Sequence, residues 1–395
     1  MISMGFDLEI IRAQTPGLAH VNHLLAAGSA LMPQLVIDAV IKHTELEGRI
    51  GGYEAVDQCG EQFDGVYKDV ASLVGAQSQE IALLQSATAA WGQIFYALLF
   101  KLGDRVLTCE AEYASNYVAF LHRAKRDGIV IDIVPSDPSG ALDLVAMEAM
   151  ITDRTRLIAI TWVPTNGGLV NPAEGVGDIA KRHNIPYLLD ACQAVGQMPV
   201  DVGEIGCDFL SATGRKFLRG PRGTGFLFIR EPWIDRLHPP MVDLMSAPWT
   251  SRDAYSLRID ARRFEEFESS YATRAGLGAA AKYAQDVGLE NIQTHSWALA
   301  AQLRDGISAL KGAEVQDAGT RHCAIVSFTI KGVDPTQAAA TLRQQNIIIG
   351  TSAASSTRID AENRKLPTML RAAPHYYNSD DDIIQLVTAL ERLID

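Results

Sequence analysis

The sequence predicts an α/β fold: a large, mostly parallel sheet covered by helices on both faces, followed by a smaller α+β domain at the C-terminal end. Three observations carry this expectation. From about residue 70 to about residue 230, short β-branched or aromatic runs alternate with segments whose apolar residues recur at helical spacing. The strand-like runs are apolar almost without interruption, as strands buried on both faces must be. After about residue 260 the texture changes to two long helical stretches and then a short mixture of strands and helices.

In order along the chain, "PQLVIDAVIKHTELEG" and "ATAAWGQIFYALLFKL" read as helices. "DRVLTCE", "GIVIDIVP", "TRLIAITWVP", "IPYLLDAC", "CDFLSATG" and "GTGFLFIR" read as strands, most bounded by turn residues, with helices at "ALDLVAMEAMI" and "GVGDIAKRHN" between several of them. "LGAAAKYAQDVGLENIQTHSWALAAQLRDGISAL" reads as two long helices. "CAIVSFTI" and "NIIIGT" then read as strands, and "DPTQAAATLRQQ" and "DDDIIQLVTALERLID" as helices. A chain of 395 residues exceeds one ordinary core. We divide it into an N-terminal arm that packs with the small domain (1–30), a large domain (31–255) and a small domain (256–395).

The composition, 47% hydrophobic and 21% charged, is that of a soluble globular protein. A net charge of -12 argues against general affinity for nucleic acid or an anionic membrane surface. Asp7 and Glu9 interrupt the first apolar segment and no basic n-region precedes it, so no secretory signal is expected. Apolar runs such as "IFYALLF" are too short to span a bilayer. The five cysteines are odd in number and form no C-x-x-C pair, which fits a reduced, cytoplasmic protein. No metal site is expected.

Ligands of parallel sheets bind at the carboxyl ends of the strands, so the polar residues that follow each strand are the candidates. "LLQSATAAWGQ" puts Ser86, Ala87 and Thr88 at a helix start, where free N–H groups and the helix dipole suit a phosphate. Tyr113 follows "DRVLTCE" and could stack on a flat ring. Thr165 and Asn166 follow "LIAITWVP", Asp190 ends "IPYLLD" with Gln193 three residues on, and Lys216 lies in "SATGRKF". The Gly-rich basic run does not match a nucleotide phosphate loop, because the glycine spacing ahead of Lys216 is wrong and Phe217 follows it. A lysine, a buried acid, a stacking aromatic and a phosphate site together suit pyridoxal phosphate, which needs an amine for its Schiff base and an acid at its pyridinium nitrogen.

The run "LLDACQAVGQMPVDVGEIGCDFLSATGRKFLRGPRGTGFLFIR" resembles the cofactor-binding core of class V aminotransferase-fold enzymes. That group includes cysteine desulfurases, C–S lyases acting on cystine and cysteine conjugates, and proteins similar to isopenicillin N epimerase. The resemblance implies pyridoxal-phosphate fold type I, a seven-stranded sheet, and a homodimer with the active site at the subunit interface. It implies that Lys216 holds the cofactor, Asp190 pairs with the ring nitrogen and Gln193 touches the phenolic oxygen. Thr213 and Arg215 fall where phosphate ligands sit, Arg215 in place of the histidine many relatives carry. Tyr113 takes the ring-stacking position, and Thr165 or Asn166 the place of an asparagine near the ring oxygen. The partner-subunit phosphate contact has no clear counterpart in "FESSYATRAG"; Ser269, Ser270 and Arg274 are the candidates. "LRAAPHYYNSDDDI" resembles the segment whose arginine clamps the substrate carboxylate, which assigns that role to Arg371. "HVNHLLAAGSALMP" resembles the N-terminal strip bordering the substrate, with Asn22 and His23 lining the pocket.

"TRHCAIVSF" imitates the signature around a desulfurase's catalytic cysteine, but Cys323 stands at the opening of an apolar strand, far ahead of Arg371. The loop that precedes Arg371, "GTSAASSTRIDAENRKLP", contains no cysteine. Its charged residues Arg358, Asp360, Arg364 and Lys365 either shape a polar pocket or are simply solvated. The resemblance therefore implies a lyase that acts on an amino acid by β-elimination of a C–S bond and releases pyruvate and ammonia. Transamination and epimerisation are the alternatives, since all three begin with the same proton abstraction.

Overall fold

The computed structural model describes residues 6–394; residues 1–5 of the N-terminal arm lie outside them. Seven strands build the main sheet: β1 (Ile81–Leu84), β2 (Arg105–Cys109), β3 (Val130–Val134), β4 (Thr155–Thr161), β5 (Tyr187–Asp190), β6 (Phe209–Thr213) and β7 (Gly225–Ile229). Their order across the sheet is β1-β7-β6-β5-β4-β2-β3. Neighbours are parallel except at β7, which runs antiparallel to both β1 and β6. The predicted mixed but mostly parallel sheet is therefore what forms. Alternate residues of each central strand enter opposite cores. Leu189, Leu210 and Phe226 join one, while Leu188, Phe209 and Leu227 join the other. That two-sided burial is why these strands read as continuous apolar runs.

One face is covered by α3 (Ala87–Ala97) and α4 (Ala114–Asp127), through Trp91, Ile94, Phe95 and Phe120. The other is covered by α2 (Gly60–Leu73), α5 (Ala173–His183) and α6 (Tyr271–Val287), with α1 (Gln34–Ile50) packed along α6. α3 is shorter than its apolar pattern: it stops at Ala97 and leaves Leu99 exposed.

A second sheet of four antiparallel strands contains β8 (Ala313–Val315), β9 (Val326–Ile330), β10 (Gly350–Ser352) and β11 (Met369–Ala372), in the order β8-β9-β11-β10. α7 (Leu289–Ala309), α8 (Pro335–Gln344) and α9 (Asp380–Ile394) pack with it. β1, β8 and β11 have no counterpart in the sequence reading.

The N-terminal arm is threaded onto this C-terminal part. Asn22–His23 pairs in parallel with Ile347–Ile348, Leu25 bridges to Ala373, and Arg12 forms an ion pair with Asp382 at 2.7 Å.

Candidate active site

The polar residues at the carboxyl ends of β2, β4, β5 and β6 converge because the strands run parallel and in register: Thr161 stands opposite Asp190, and Asp190 opposite Ser211. Two close backbone approaches then set the surrounding loops. A Cβ on Gly225 of β7 would lie 2.6 Å from the carbonyl carbon of Ser86 and 2.8 Å from the nitrogen of Ala87, so only glycine lets the start of α3 sit against the sheet. Ser86 caps that helix by accepting from the Ala89 N–H at 3.1 Å. The N–H groups of Ala87 and Thr88 lie in the first turn, where no intrahelical acceptor exists. Gly196, at φ +88°, lies under the lysine loop, and a Cβ there would meet Leu218 N at 2.4 Å.

Lys216 follows β6 and is buried, with Nζ 5.9 Å from the centre of the Tyr113 ring. Burial pushes its pKa below the ordinary lysine range; Cys192 and Asp190 oppose this, while Arg215 and Arg371 add to it. The loop is buttressed from the C-terminal side. His375 hydrogen-bonds the Phe217 carbonyl at 2.7 Å, and Arg219 lies 4.8 Å from the ring centres of both Tyr376 and Tyr377. Arg219 also donates to Leu31 O at 2.8 Å and Thr15 Oγ1 at 2.6 Å, which holds it at φ +62°. The "HYY" of "RAAPHYYN" thus braces the lysine loop, a role that sequence reasoning did not assign.

Asp190 accepts from Cys192 N at 3.0 Å and from Asn116 Nδ2 at 2.9 Å. Asn116 also donates to the buried Glu112 at 2.9 Å. Neither Glu112 nor Asn116 was singled out from sequence, although the spacing Glu112-Tyr113-x-x-Asn116 directly after β2 was the available signal. Thr213 donates to the Thr224 carbonyl at 3.2 Å.

On the side facing the second sheet, Gln193 donates to Ala27 O at 3.2 Å and contacts Thr165 Oγ1 at 3.5 Å. Arg371 grips Thr165 through its carbonyl at 2.8 Å and its hydroxyl at 2.6 Å. Arg215 donates to the carbonyl of Gly28, and burial, with Arg215 nearby, lowers the Arg371 pKa to about 10. Asn166 accepts from Ser352 Oγ at 2.6 Å. The structure thus brings Arg371, Thr165, Gln193, Arg215 and the strip Ala27–Gly28 into one continuous contact network.

Asn22 and His23 bond the C-terminal segment. Asn22 donates to Asp382 O and Gln385 Oε1, both at 2.8 Å, and His23 pairs with the Tyr377 hydroxyl at 2.8 Å. They anchor the arm to the C-terminal segment, and the backbone of Ala27 and Gly28 is what reaches the site. Arg274 forms a buried ion pair with Glu265 at 3.1 Å and lines the same cleft as Ser269 and Ser270. Ser270 caps α6, and with Ser269 it lines an open cleft beside Gln85, Gly223 and Thr224.

Cys323 is fully buried three residues ahead of β9, and burial raises its thiol pKa to about 12. The segment before Arg371 folds into a 3-10 turn (Ala354–Thr357) and a short helix (Arg358–Asn363). Its charges are engaged with near neighbours, Arg358 with Glu362 at 3.0 Å and Arg364 with Asp360 at 3.3 Å, while Lys365 is exposed. Among the described residues no group of three or more His, Cys, Asp or Glu side chains is placed to hold a metal, and no helix is long and apolar enough to cross a membrane.

In this network Gln193 Oε1, Asn166 Nδ2 and Arg371 Nε are buried without an intramolecular partner. Buried polar atoms in that state await a ligand or water. With a buried amine, an acid and a helix start bearing free amides, this donor set fits pyridoxal phosphate. Comparison with known proteins agrees. The family described as Aminotransferase class-V matches residues 22–386. A probable cysteine desulfurase of Methanothermobacter thermautotrophicus is 29% identical over 392 residues, covering 98% of each chain. The cysteine desulfurase of Thermococcus onnurineus NA1, solved in its apo form, is 26% identical with a TM-score of 0.92 over 98% of each chain. The cystine C–S lyase C-DES, solved with its product cysteine persulfide, shares the fold: TM-score 0.86 at 22% identity, over 97% of this chain and 99% of its own.

Proposed function

The chain belongs to the class-V aminotransferase family, the pyridoxal-phosphate enzymes of fold type I, and from that premise we propose that it is a lyase. It would break the Cβ–S bond of a cysteine-type amino acid, so that substrate and water yield pyruvate, ammonia and a thiol. The observation that carries this reading is the segment ahead of Arg371. A desulfurase needs an accessible thiolate to attack the substrate sulfur. Gly350 to Pro367 contains no cysteine, and Cys323 is shut in the core with its proton held up to about pH 12.

Pyridoxal phosphate, when bound, supplies an electron sink conjugated with the substrate Cα. In this reading Lys216 holds its aldehyde, Asp190 its ring nitrogen and Gln193 its phenolic oxygen, with Thr165 or Asn166 beside it. Tyr113 covers the ring face, and Ser86, Ala87, Thr88, Thr213 and Arg215 hold the phosphate. Arg371 grips the substrate carboxylate; Thr165 already orients its guanidinium, and its buried Nε is free to donate. Released from the aldehyde by the substrate's amine, Lys216 Nζ would take the α-proton. Burial and two neighbouring guanidiniums favour its neutral form, which is the form able to accept that proton. The sulfur leaves as a thiolate. The working unit is a homodimer with the active site at the interface, in which Ser269 and Ser270 of one subunit approach the phosphate of the other. Five free cysteines suit a reducing, cytoplasmic setting.

The test is to incubate holoenzyme with a panel of amino acids and cysteine S-conjugates, with no keto acid added, and to assay pyruvate and ammonia. Many turnovers of pyruvate from a sulfur substrate, lost in Lys216→Ala, are expected. At most one keto acid per site, with conversion of the cofactor to its amine form, would establish an aminotransferase instead. Racemised substrate without pyruvate would establish an epimerase.

A further inference from the structure

Glu112 has no role in the reading above, yet it is buried beside the ring pocket and accepts hydrogen bonds on both oxygens. Oε1 receives the N–H of Tyr113 at 2.8 Å, Nδ2 of Asn116 at 2.9 Å and the Thr161 hydroxyl; Oε2 receives the Thr108 hydroxyl at 3.0 Å. Asn116 spends its other amide hydrogen on Asp190 Oδ2, at 2.9 Å. An amide nitrogen placed between two carboxylates can only be the donor end, so the orientation of Asn116 is fixed.

We propose that Glu112 is a positioning residue for the cofactor ring. Through the backbone of Tyr113 it fixes the aromatic that covers the ring face, and through Asn116 it fixes the carboxylate that meets the ring nitrogen. The proposal rests on the assignment of Tyr113 and Asp190 to those places.

The local sequence explains how one side chain does both. Glu112 stands just before Tyr113, the N-cap of α4, and Asn116 lies in the first turn of that helix. Side chains four apart across a helix start face each other. The Thr161 hydroxyl donates to Glu112 and also receives the Tyr113 N–H at 3.2 Å, which ties this corner to the end of β4, the strand beside Asp190. A purely structural reading explains less. Burial pushes the Glu112 pKa to about 7 even though Thr161, Asn116 and the Tyr113 backbone favour its charge and only Asp190 adds to the rise. Asp190, Cys109 and Tyr187 are the ionisable groups that face it. A buried carboxylate on such terms adds little to stability that an apolar side chain would not match. What it uniquely supplies is an acceptor directed at two groups that touch the cofactor.

The test uses holoenzyme of Glu112→Ala, Asn116→Ala and Glu112→Gln. Four quantities are measured: the dissociation constant for pyridoxal phosphate, the cofactor's visible absorption against pH, kcat and KM. Both alanine variants should bind the cofactor at least about tenfold more weakly, the cost of a hydrogen bond to a charged group. They should also move the pH midpoint of the absorption change and lower kcat more than they raise KM. Glutamine keeps an acceptor of the same shape and should restore affinity and spectrum to near the parent's. If Glu112→Ala does not fold, Asn116→Ala carries the test. Alanine variants that melt earlier but keep the parent's cofactor affinity and absorption midpoint would overturn the proposal. Failure of the underlying assignment looks different: Tyr113→Ala and Asp190→Ala would then leave affinity and spectrum unchanged as well.

Discussion

Replacing Glu112 by glutamine should remove a slope from the pH dependence of stability. Burial raises the Glu112 pKa from the ordinary 4.5 to about 7. Between those values the folded chain keeps a proton that the unfolded chain has lost. For a carboxyl raised in this way, stability is greatest below the unfolded pKa, declines as pH rises toward the folded pKa and is flat above it. At 1.36 kcal/mol per unit, the gap amounts to about 3 kcal/mol. Glutamine has no such proton to lose. Urea unfolding of both holoenzymes at pH 4.5 to 8, with protein and cofactor concentrations held fixed, reads the difference directly. The parent should lose about 3 kcal/mol relative to Glu112→Gln across that window, with the change complete by about pH 8. Parallel curves would show that Glu112 is ionised in the folded protein at pH 5, and the reasoning from burial would fail.

Three further outcomes follow from the geometry. Arg371→Lys replaces a guanidinium held by two bonds to Thr165 with a point charge, so KM for the amino-acid substrate should rise about ten- to hundredfold; an unchanged KM would remove Arg371 from carboxylate binding. Gly225→Ala sets a methyl group against the Ser86–Ala87 backbone and should weaken pyridoxal phosphate binding more than it lowers kcat at saturating cofactor; equal cofactor affinity would show that α3 can retreat without cost. Arg219→Ala loses two hydrogen bonds and the contact with Tyr376 and Tyr377 while keeping φ +62°, so urea unfolding should show a loss of about 3 kcal/mol. Arg219→Gly, which tolerates that backbone, should lose about 1 kcal/mol less; the reverse order would refute the strain.

The large sheet was legible in the sequence because its central strands are buried on both sides, and continuous apolar runs that end in Asp190 or are followed within a few residues by Lys216 or Thr165 mark the strands. β1, β8 and β11 were not. Arg371 was found by resemblance, with no sign that it lies on a strand. Glu112 and Asn116 escaped because a charged and an amide side chain after a strand read as a solvated turn; only tertiary contact shows them buried. Asn22 and His23 have partners that no local pattern announces. In the structure Asn22 bonds α9 and His23 bonds the Tyr377 hydroxyl, while the carbonyls of Ala27 and Gly28 accept from Gln193 and Arg215.

The pairing of the N-terminal strip with the C-terminal part bears on how the protein is made. Ala27 and Gly28 are among the first site residues to leave the ribosome and Arg371 is the last, yet all meet in one network, held by the bridge from Leu25 to Ala373 and the pairing of Asn22–His23 with Ile347–Ile348. Until Ile347–Ile348 is made the strip has no partner strand, and until His375–Tyr377 is made the lysine loop lacks its brace. The network from the strip to Arg371 therefore closes only when the C-terminal part has been made.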